Sequence, residues 1–208
     1  VRDLKRLRRE HAERLYAQKT PGVERRARLT ELVNGALAEH FSRIANGATG
    51  VTLAAVGSVG RGDAGPASDL DLVLLHDGES LKKKDVAELA EQLWYPIWDA
   101  GLELDHSTRS ITECRQVASK DLAAAAGLLD LNAIAGDEAL AKHARALIYQ
   151  DWRAAARKRL PDLLAASRAR AERFGEVAYL IEPNLKESRG GTRDYISLAA
   201  LAATWLTD

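Results

Sequence analysis

Hydrophobic positions along the chain follow two different rhythms. Between residues 3 and 19 the sequence is charged, with Leu4, Leu7, His11 and Leu15 recurring at helical spacing, which predicts one amphipathic helix. Thr20-Pro21-Gly22 breaks it. Leu29, Leu32, Val33, Ala36, Leu37 and Phe41 then predict a second helix from about Val23 to Ala45, ended at Asn46-Gly47 by a residue tolerant of positive φ. The rhythm changes at Val51. Val51, Leu53 and Val56 read as a strand, Gly57-Ser58 as a turn, the Gly- and Pro-rich stretch after it as a loop, and Leu70–Leu75 as a second strand. From Leu81 to Trp98 the helical spacing returns, with Val86, Leu89, Ala90, Leu93 and Ile97 on one side. Gly101–His106 reads as a third strand, with Leu102 and Leu104 on one face and Glu103 and Asp105 on the other.

From Thr112 onward the chain is alanine-rich and is expected to be almost wholly helical. A helix over Val117–Ala135 should stop at Gly136, followed by helices from Glu138 to about Lys158 and from Asp162 to about Tyr179. The last is studded with Arg168, Arg170 and Arg173, expected along a solvent face. Pro and paired glycines mark Glu182–Asp194 as a loop, with Thr192 the expected N-cap of a closing helix to Leu206.

Composition narrows the picture. At 208 residues and 46% hydrophobic, the chain can bury a real core, in one large domain or two small ones. Thirty basic and thirty acidic residues balance, so the total charge gives no argument for bulk nucleic-acid affinity. The first 28 residues are locally basic through Arg2, Lys5, Arg6, Arg8, Arg9, Arg14, Arg25, Arg26 and Arg28, read as a solvated helical face in preference to an interaction arm. A single Cys114 excludes an intrachain disulfide, and no Cys/His array has zinc spacing. No apolar run approaches a membrane span and no signal-peptide core opens the chain, so a cytoplasmic location is expected. The absence of Met, with Val1 first, is expected of a processed start or a fragment.

The chemistry concentrates between Gly57 and Asp71. Strand alternation points Asp69 and Asp71 the same way, and two like charges held that close repel unless a cation sits between them. Hard oxygen ligands at a strand edge suit Mg²⁺, which binds through one or two carboxylates plus substrate phosphates. Glycine at the preceding turn lets backbone N–H groups approach a phosphate chain. Paired metal carboxylates beside a phosphate cradle are equipment for moving a nucleotidyl group. The loop carrying Lys186, Arg189 and Arg193 ahead of a helix is a second place where phosphate could be held, against a structural alternative in which Glu182 and Arg193 pair to hold the loop.

Gly57-Ser58, Arg61-Gly62 and Ser68-Asp69-Leu70-Asp71-Leu72 resemble the G-S … D-x-D signature of the DNA polymerase β nucleotidyltransferase superfamily. The string from Gly57 to Leu75, and Glu182–Asp194 as E-P-N-L-K-x-x-x-G-G-x-R-D, resemble one branch of it, the PII uridylyltransferase/uridylyl-removing enzymes. His106, Ser107 and Arg109 fit the branch as well, and Arg109 is a further candidate for phosphate contact. Departures are Asp105 at a usual glycine, Asn132 at a usual arginine and Arg189 where many relatives have proline.

The resemblance implies an α+β fold: a small mixed β-sheet nucleotidyltransferase core with flanking helices, followed by an all-α helical domain. The expected division is 1–48 for N-terminal helices, 49–115 for the core and 116–208 for the helical domain. It implies UTP or ATP as donor, Mg²⁺ in a two-metal site on Asp69 and Asp71, and a third carboxylate at Asp105 or Glu103. It further implies phosphate contacts from Gly57, Ser58, Arg61, Lys186, Arg189 and Arg193, and an acceptor tyrosine on a PII nitrogen-signalling protein. Long relatives also carry HD hydrolase and ACT domains; these are expected to be missing here, leaving transfer without removal or glutamine sensing. The competing expectations are an enzyme of the same fold with a small-molecule or tRNA acceptor, and a non-catalytic binding module.

Overall fold

The computed structural model describes residues 1–205, which separate into two compact units. One holds Val1–Cys114 and Asp130–Arg145, the other Arg115–Leu129 and the chain from Ala146 onward. The first unit contains α1 (Leu4–Ala17), α2 (Gly22–Ala45), β1 (Val51–Ala55), the short α3 (Gly57–Arg61), β2 (Leu70–His76), α4 (Lys83–Asp99) and β3 (Leu104–Ser110). A later strand, β4 (Asn132–Gly136), completes a mixed four-stranded sheet ordered β3-β2-β1-β4. β1 runs antiparallel to β2 and β4, and β2 parallel to β3.

Pairing places Leu53 opposite Leu74 and Ala55 opposite Leu72, so Val51, Leu53, Ala55, Leu70, Leu72 and Leu74 line one face. Leu37 and Phe41 of α2 and Leu93 and Ile97 of α4 join the same core, all 1% exposed or less. Each fully buried Leu or Phe contributes about 2 kcal/mol, so this face fixes the sheet while the end of the opposite face carries charge. α2 ends as expected, with Asn46 in the left-handed region (φ 45°, ψ 44°). The inward stripe of α1 differs from the expected one: Leu4, Arg8 and Leu15 are buried, whereas Leu7 is 40% exposed.

Several expectations are corrected. Gly57 does not merely turn the chain but opens the five-residue α3. The third strand begins at Leu104 and runs to Ser110, because Gly101, at φ +67°, still belongs to the turn off α4. Asn132–Gly136 is a strand rather than the end of a helix, so the helical reading of 116–208 fails there. The edge of β1 needs backbone partners, and the short Ala133-Ile134-Ala135 run supplies them, with Thr52 Oγ1 donating to the Ala135 carbonyl at 2.9 Å. At Gly136 (φ +101°) a Cβ would lie 2.5 Å from the Val51 carbonyl oxygen, so only glycine ends the strand this way. Among the described residues no helix is long and apolar enough to cross a membrane.

The second unit is built from the end of α5 (Ile111–Lys120), α6 (Leu122–Leu128), the later part of α7 (Glu138–Phe174), a 3₁₀ turn at Val177–Tyr179 and α8 (Thr192–Ala202). Where two helices are expected, to about Lys158 and from Asp162, α7 runs unbroken for 37 residues with Pro161 inside it. Ala-, Arg- and Leu-rich stretches on both sides favour helix strongly enough to absorb the lost hydrogen bond. Buried Trp152 donates through Nε1 to the Ala200 carbonyl at 2.8 Å, and Arg115 grips Asp151 at 2.6 and 2.9 Å. Arg168 and Arg173 are exposed, but Arg170 is not: its side chain pairs with Asp194. The N-cap of α8 is Gly191 rather than Thr192, and Leu206 lies outside the described residues.

Candidate active site

β2 and β3 set the acidic cluster. Asp71 and Asp105 are direct register partners on this parallel pair, which puts their Cα atoms about 4.8 Å apart on one face. Asp69 and Glu103 each lie two residues upstream, and the Leu70 amide donates to the Glu103 carbonyl at 2.9 Å, tying the two strand entries together. Asp69, Glu103 and Asp105 are exposed and Asp71 is half-buried. His106 points to the opposite face, where its ring packs between Trp94 and Trp98 with centroids 5.0 and 4.9 Å away.

The end of β1 delivers the glycine turn to this edge. The Val56 amide donates to the Asp71 carbonyl at 2.9 Å, and Gly57 follows at φ +59°. A Cβ at Gly57 would stand 2.4 Å from Asp71 Oδ2, so the side chain of Asp71 fills the space that a larger residue would need. Gly60 is equally constrained: a Cβ there would lie 2.4 Å from the Asp130 carbonyl oxygen and 2.8 Å from that of Ala55. α3 is therefore seated tightly on the ends of β1 and the entry to β4.

Arg61 faces two carboxylates. Its Nη1 donates to Asp130 at 2.6 Å, and its Nε and Nη2 donate to Asp63 at 3.2 and 3.3 Å, with the side chain 16% exposed. Burial pushes the Asp130 carboxyl up from its ordinary range, against the opposing pull of Arg61. Sequence reasoning missed Asp63 and Asp130 as the partners of this arginine, because 69 residues separate Arg61 from Asp130.

The donor set fits a hard cation that takes few protein ligands. Like charges on neighbouring strands repel, and a cation between them relieves that cost. Among the described residues no three His, Cys, Asp or Glu side chains lie together in a group that could hold a metal ion. Mg²⁺ needs no such group: it binds through one or two carboxylates and completes its shell with water and phosphate oxygens. Asp71 and Asp105, register partners beside a glycine turn, are compatible with that requirement, and Asp69 lies just ahead of β2.

The Glu182–Asp194 loop belongs to the second unit and builds much of its own structure. Asn184 Oδ1 accepts from the amides of Lys186 and Glu187 at 3.0 and 2.9 Å. At Gly191 a Cβ would meet the Leu185 carbonyl oxygen at 2.6 Å. Arg193 Nε donates to Glu187 at 3.3 Å, which replaces the alternative pairing with Glu182, and Arg189 pairs with Glu176 at 3.3 Å. Lys186 is exposed. Asp194 accepts from the Gly190 amide at 2.7 Å and from Arg170, and these bonds hold its carboxyl below the ordinary range.

Comparison with known proteins falls on both parts of the chain. Residues 36–126 match the nucleotidyltransferase domain family, and residues 158–206 match the GlnD PII-uridylyltransferase family. A bifunctional uridylyltransferase/uridylyl-removing enzyme of Streptomyces coelicolor is 50% identical over 187 residues, 90% of this chain and 22% of that protein. Its counterpart in Mycobacterium tuberculosis is 43% identical over 162 residues, 77% of this chain and 20% of that protein. That of Thiobacillus denitrificans is 35% identical over 193 residues, 90% of this chain and 21% of that protein. The chain thus spans about a fifth of the length of these relatives.

Proposed function

The chain belongs to the family of PII uridylyltransferase/uridylyl-removing enzymes, to whose nucleotidyltransferase portion it corresponds, and from that premise we propose that it transfers a nucleotidyl group from UTP to a tyrosine of a PII signalling protein, releasing pyrophosphate. ATP is the alternative donor. The observation that carries the reading is the register pairing of Asp71 with Asp105 beside Gly57: two acids on adjacent strands at the mouth of a glycine turn.

In this reading Gly57 and Ser58 receive the phosphate chain, and Mg²⁺ would be held by one or two of the carboxylates of Asp69, Asp71 and Asp105, with phosphate oxygens completing its shell. When bound, the ion supplies charge neutralisation for the triphosphate and acidifies the acceptor hydroxyl. Asp105, the register partner of Asp71, takes the role of third carboxylate and receives the hydroxyl proton; Glu103, two residues upstream and before the strand begins, flanks it. The tyrosine oxygen bonds to the α-phosphorus as the bond to pyrophosphate breaks in line. Arg61, held by Asp63 and Asp130, acts by seating α3 and Gly57 rather than by direct contact with pyrophosphate. For Arg189 and Arg193, phosphate contact requires displacing Glu176 and Glu187, so Lys186 is the preferred cation of that loop.

The test is incubation of the chain with Mg²⁺, a PII protein and labelled UTP or labelled ATP, followed by mass spectrometry of the acceptor. Label from UTP on one PII tyrosine is the expected result. Label from ATP alone would reassign the donor, and no label from either nucleotide with a folded chain would overturn the proposal.

A further inference from the structure

We infer that Arg8, on the N-terminal helix, is a positioning residue for the acidic edge: it holds the two carbonyl groups of the turn from which Asp69 projects. The inference rests on the catalytic reading of Asp69 given above. Arg8 is 4% exposed, on the inward stripe of α1 between Leu4 and Leu15. Its Nη2 donates to the Gly65 carbonyl at 3.0 Å and to the Ser68 carbonyl at 2.6 Å. The Ser68 carbonyl belongs to the peptide plane whose N–H is that of Asp69, so fixing this oxygen fixes the plane from which the carboxylate leaves the backbone.

The turn is secured from its other sides as well. The Ser68 amide donates to the Gly65 carbonyl at 3.2 Å, and the Gly65 amide donates to Ser68 Oγ at 2.8 Å. One residue earlier, the Ala64 amide donates at 3.2 Å to Oγ1 of Thr30, a buried residue of α2. Two helices outside the sheet therefore grip the segment Ala64–Ser68 immediately ahead of the first acid.

A buried arginine is an expensive way to fill a helix face. Among the described residues Arg8 Nε has no hydrogen-bond partner, and burial weakens the hold of the guanidinium on its proton, while the charge of Asp69 opposes that effect. An apolar residue at this point of the stripe would pack beside Leu4 and Leu15 without desolvating a charge. What it would lack is a cation that holds the peptide before Asp69 and faces the field of its carboxylate.

The experiment compares Arg8→Met, which keeps the length and removes charge and donors, with Arg8→Lys, which restores both. Two quantities are read: amide hydrogen exchange over residues 62–72, and Mn²⁺ affinity by electron paramagnetic resonance in the presence of a non-transferable UTP analogue. Arg8→Met is expected to speed loop exchange and weaken Mn²⁺ binding, each by about tenfold, with Arg8→Lys recovering most of both. A folded Arg8→Met with wild-type exchange and wild-type Mn²⁺ affinity overturns the assignment. Should Arg8→Met not fold, Thr30→Val decides: faster exchange at 64–68 with Mn²⁺ binding weakened about threefold supports the grip, and no change in either sinks it. A wild type that binds Mn²⁺ but labels no PII protein contradicts the proposed reaction while leaving the Arg8 readouts intact.

Discussion

At Gly57 the backbone adopts a left-handed conformation and the Asp71 carboxylate occupies the space where a side chain would begin. Gly57→Ala therefore meets two penalties at one atom. The left-handed conformation costs an L-residue about 1–2 kcal/mol, and the new methyl pushes Asp71 from its place. Thermal unfolding should shift by only a few degrees, about what that penalty implies for a chain of this size, while transfer falls by at least about a hundredfold. Equal transfer by the two proteins would contradict the role given to this contact. The third carboxylate is decided similarly: Asp105→Asn is expected to lower kcat by about a hundredfold or more and Glu103→Gln by less than about tenfold. The reverse order, measured in the same assay, would move the role to Glu103.

Of the acids, the pairing of β2 with β3 was the part the sequence could suggest: alternation predicts a shared face for Asp69 and Asp71, and the structure places Asp71 on β2 opposite Asp105, with Asp69 one residue ahead of the strand. Arg8 was not legible in the same way. The eye takes Leu4, Leu7 and His11 as the stripe, yet Leu4, Arg8 and Leu15 lie at equally helical intervals, and a charged residue is discounted as a core position. The signal was present in the spacing and was masked by residue type.

At the scale of elements, the two misread segments share a cause. Ala133-Ile134-Ala135 sits in alanine-rich sequence that favours helix, and pairing with the edge of β1 overrides that local preference. Pro161 carries a strong local breaker signal, and the helix-forming sequence on both sides overrides it. In each case the outcome depends on more sequence than the motif itself. The loop before α8 is different, since Asn184, Gly191 and Asp194 build it by local hydrogen bonds that its composition foretells.

Asp194 gives this loop a dependence on pH. The Gly190 amide, and then Arg170, lower its folded-state pKa below the ordinary 3.8, against the opposing effect of burial. A lowered carboxyl contributes stability above the unfolded pKa and loses it as pH falls toward the folded one. Asp194→Asn should therefore cost about 1–2 kcal/mol in urea unfolding at pH 7, and the cost should shrink as the pH falls below the ordinary 3.8. A cost independent of pH would mean that the charge of Asp194 is not what secures the loop.

For the molecule as a whole, the sheet order β3-β2-β1-β4 explains why so few residues specify the site. One face of β1 and β2 is committed to the core with α2 and α4, and the ends of β1, β2 and β3 meet where that core gives way to solvent. A turn from one strand and acids from two others arrive together without any of them being adjacent in sequence. The central claim is that this acidic edge performs nucleotidyl transfer. Its most direct test measures label passed from UTP to a PII protein by the wild type and by an Asp69→Asn, Asp71→Asn double variant whose circular dichroism matches it. The account predicts that label falls by at least about a thousandfold in the double variant; label retained near the wild-type level would contradict it.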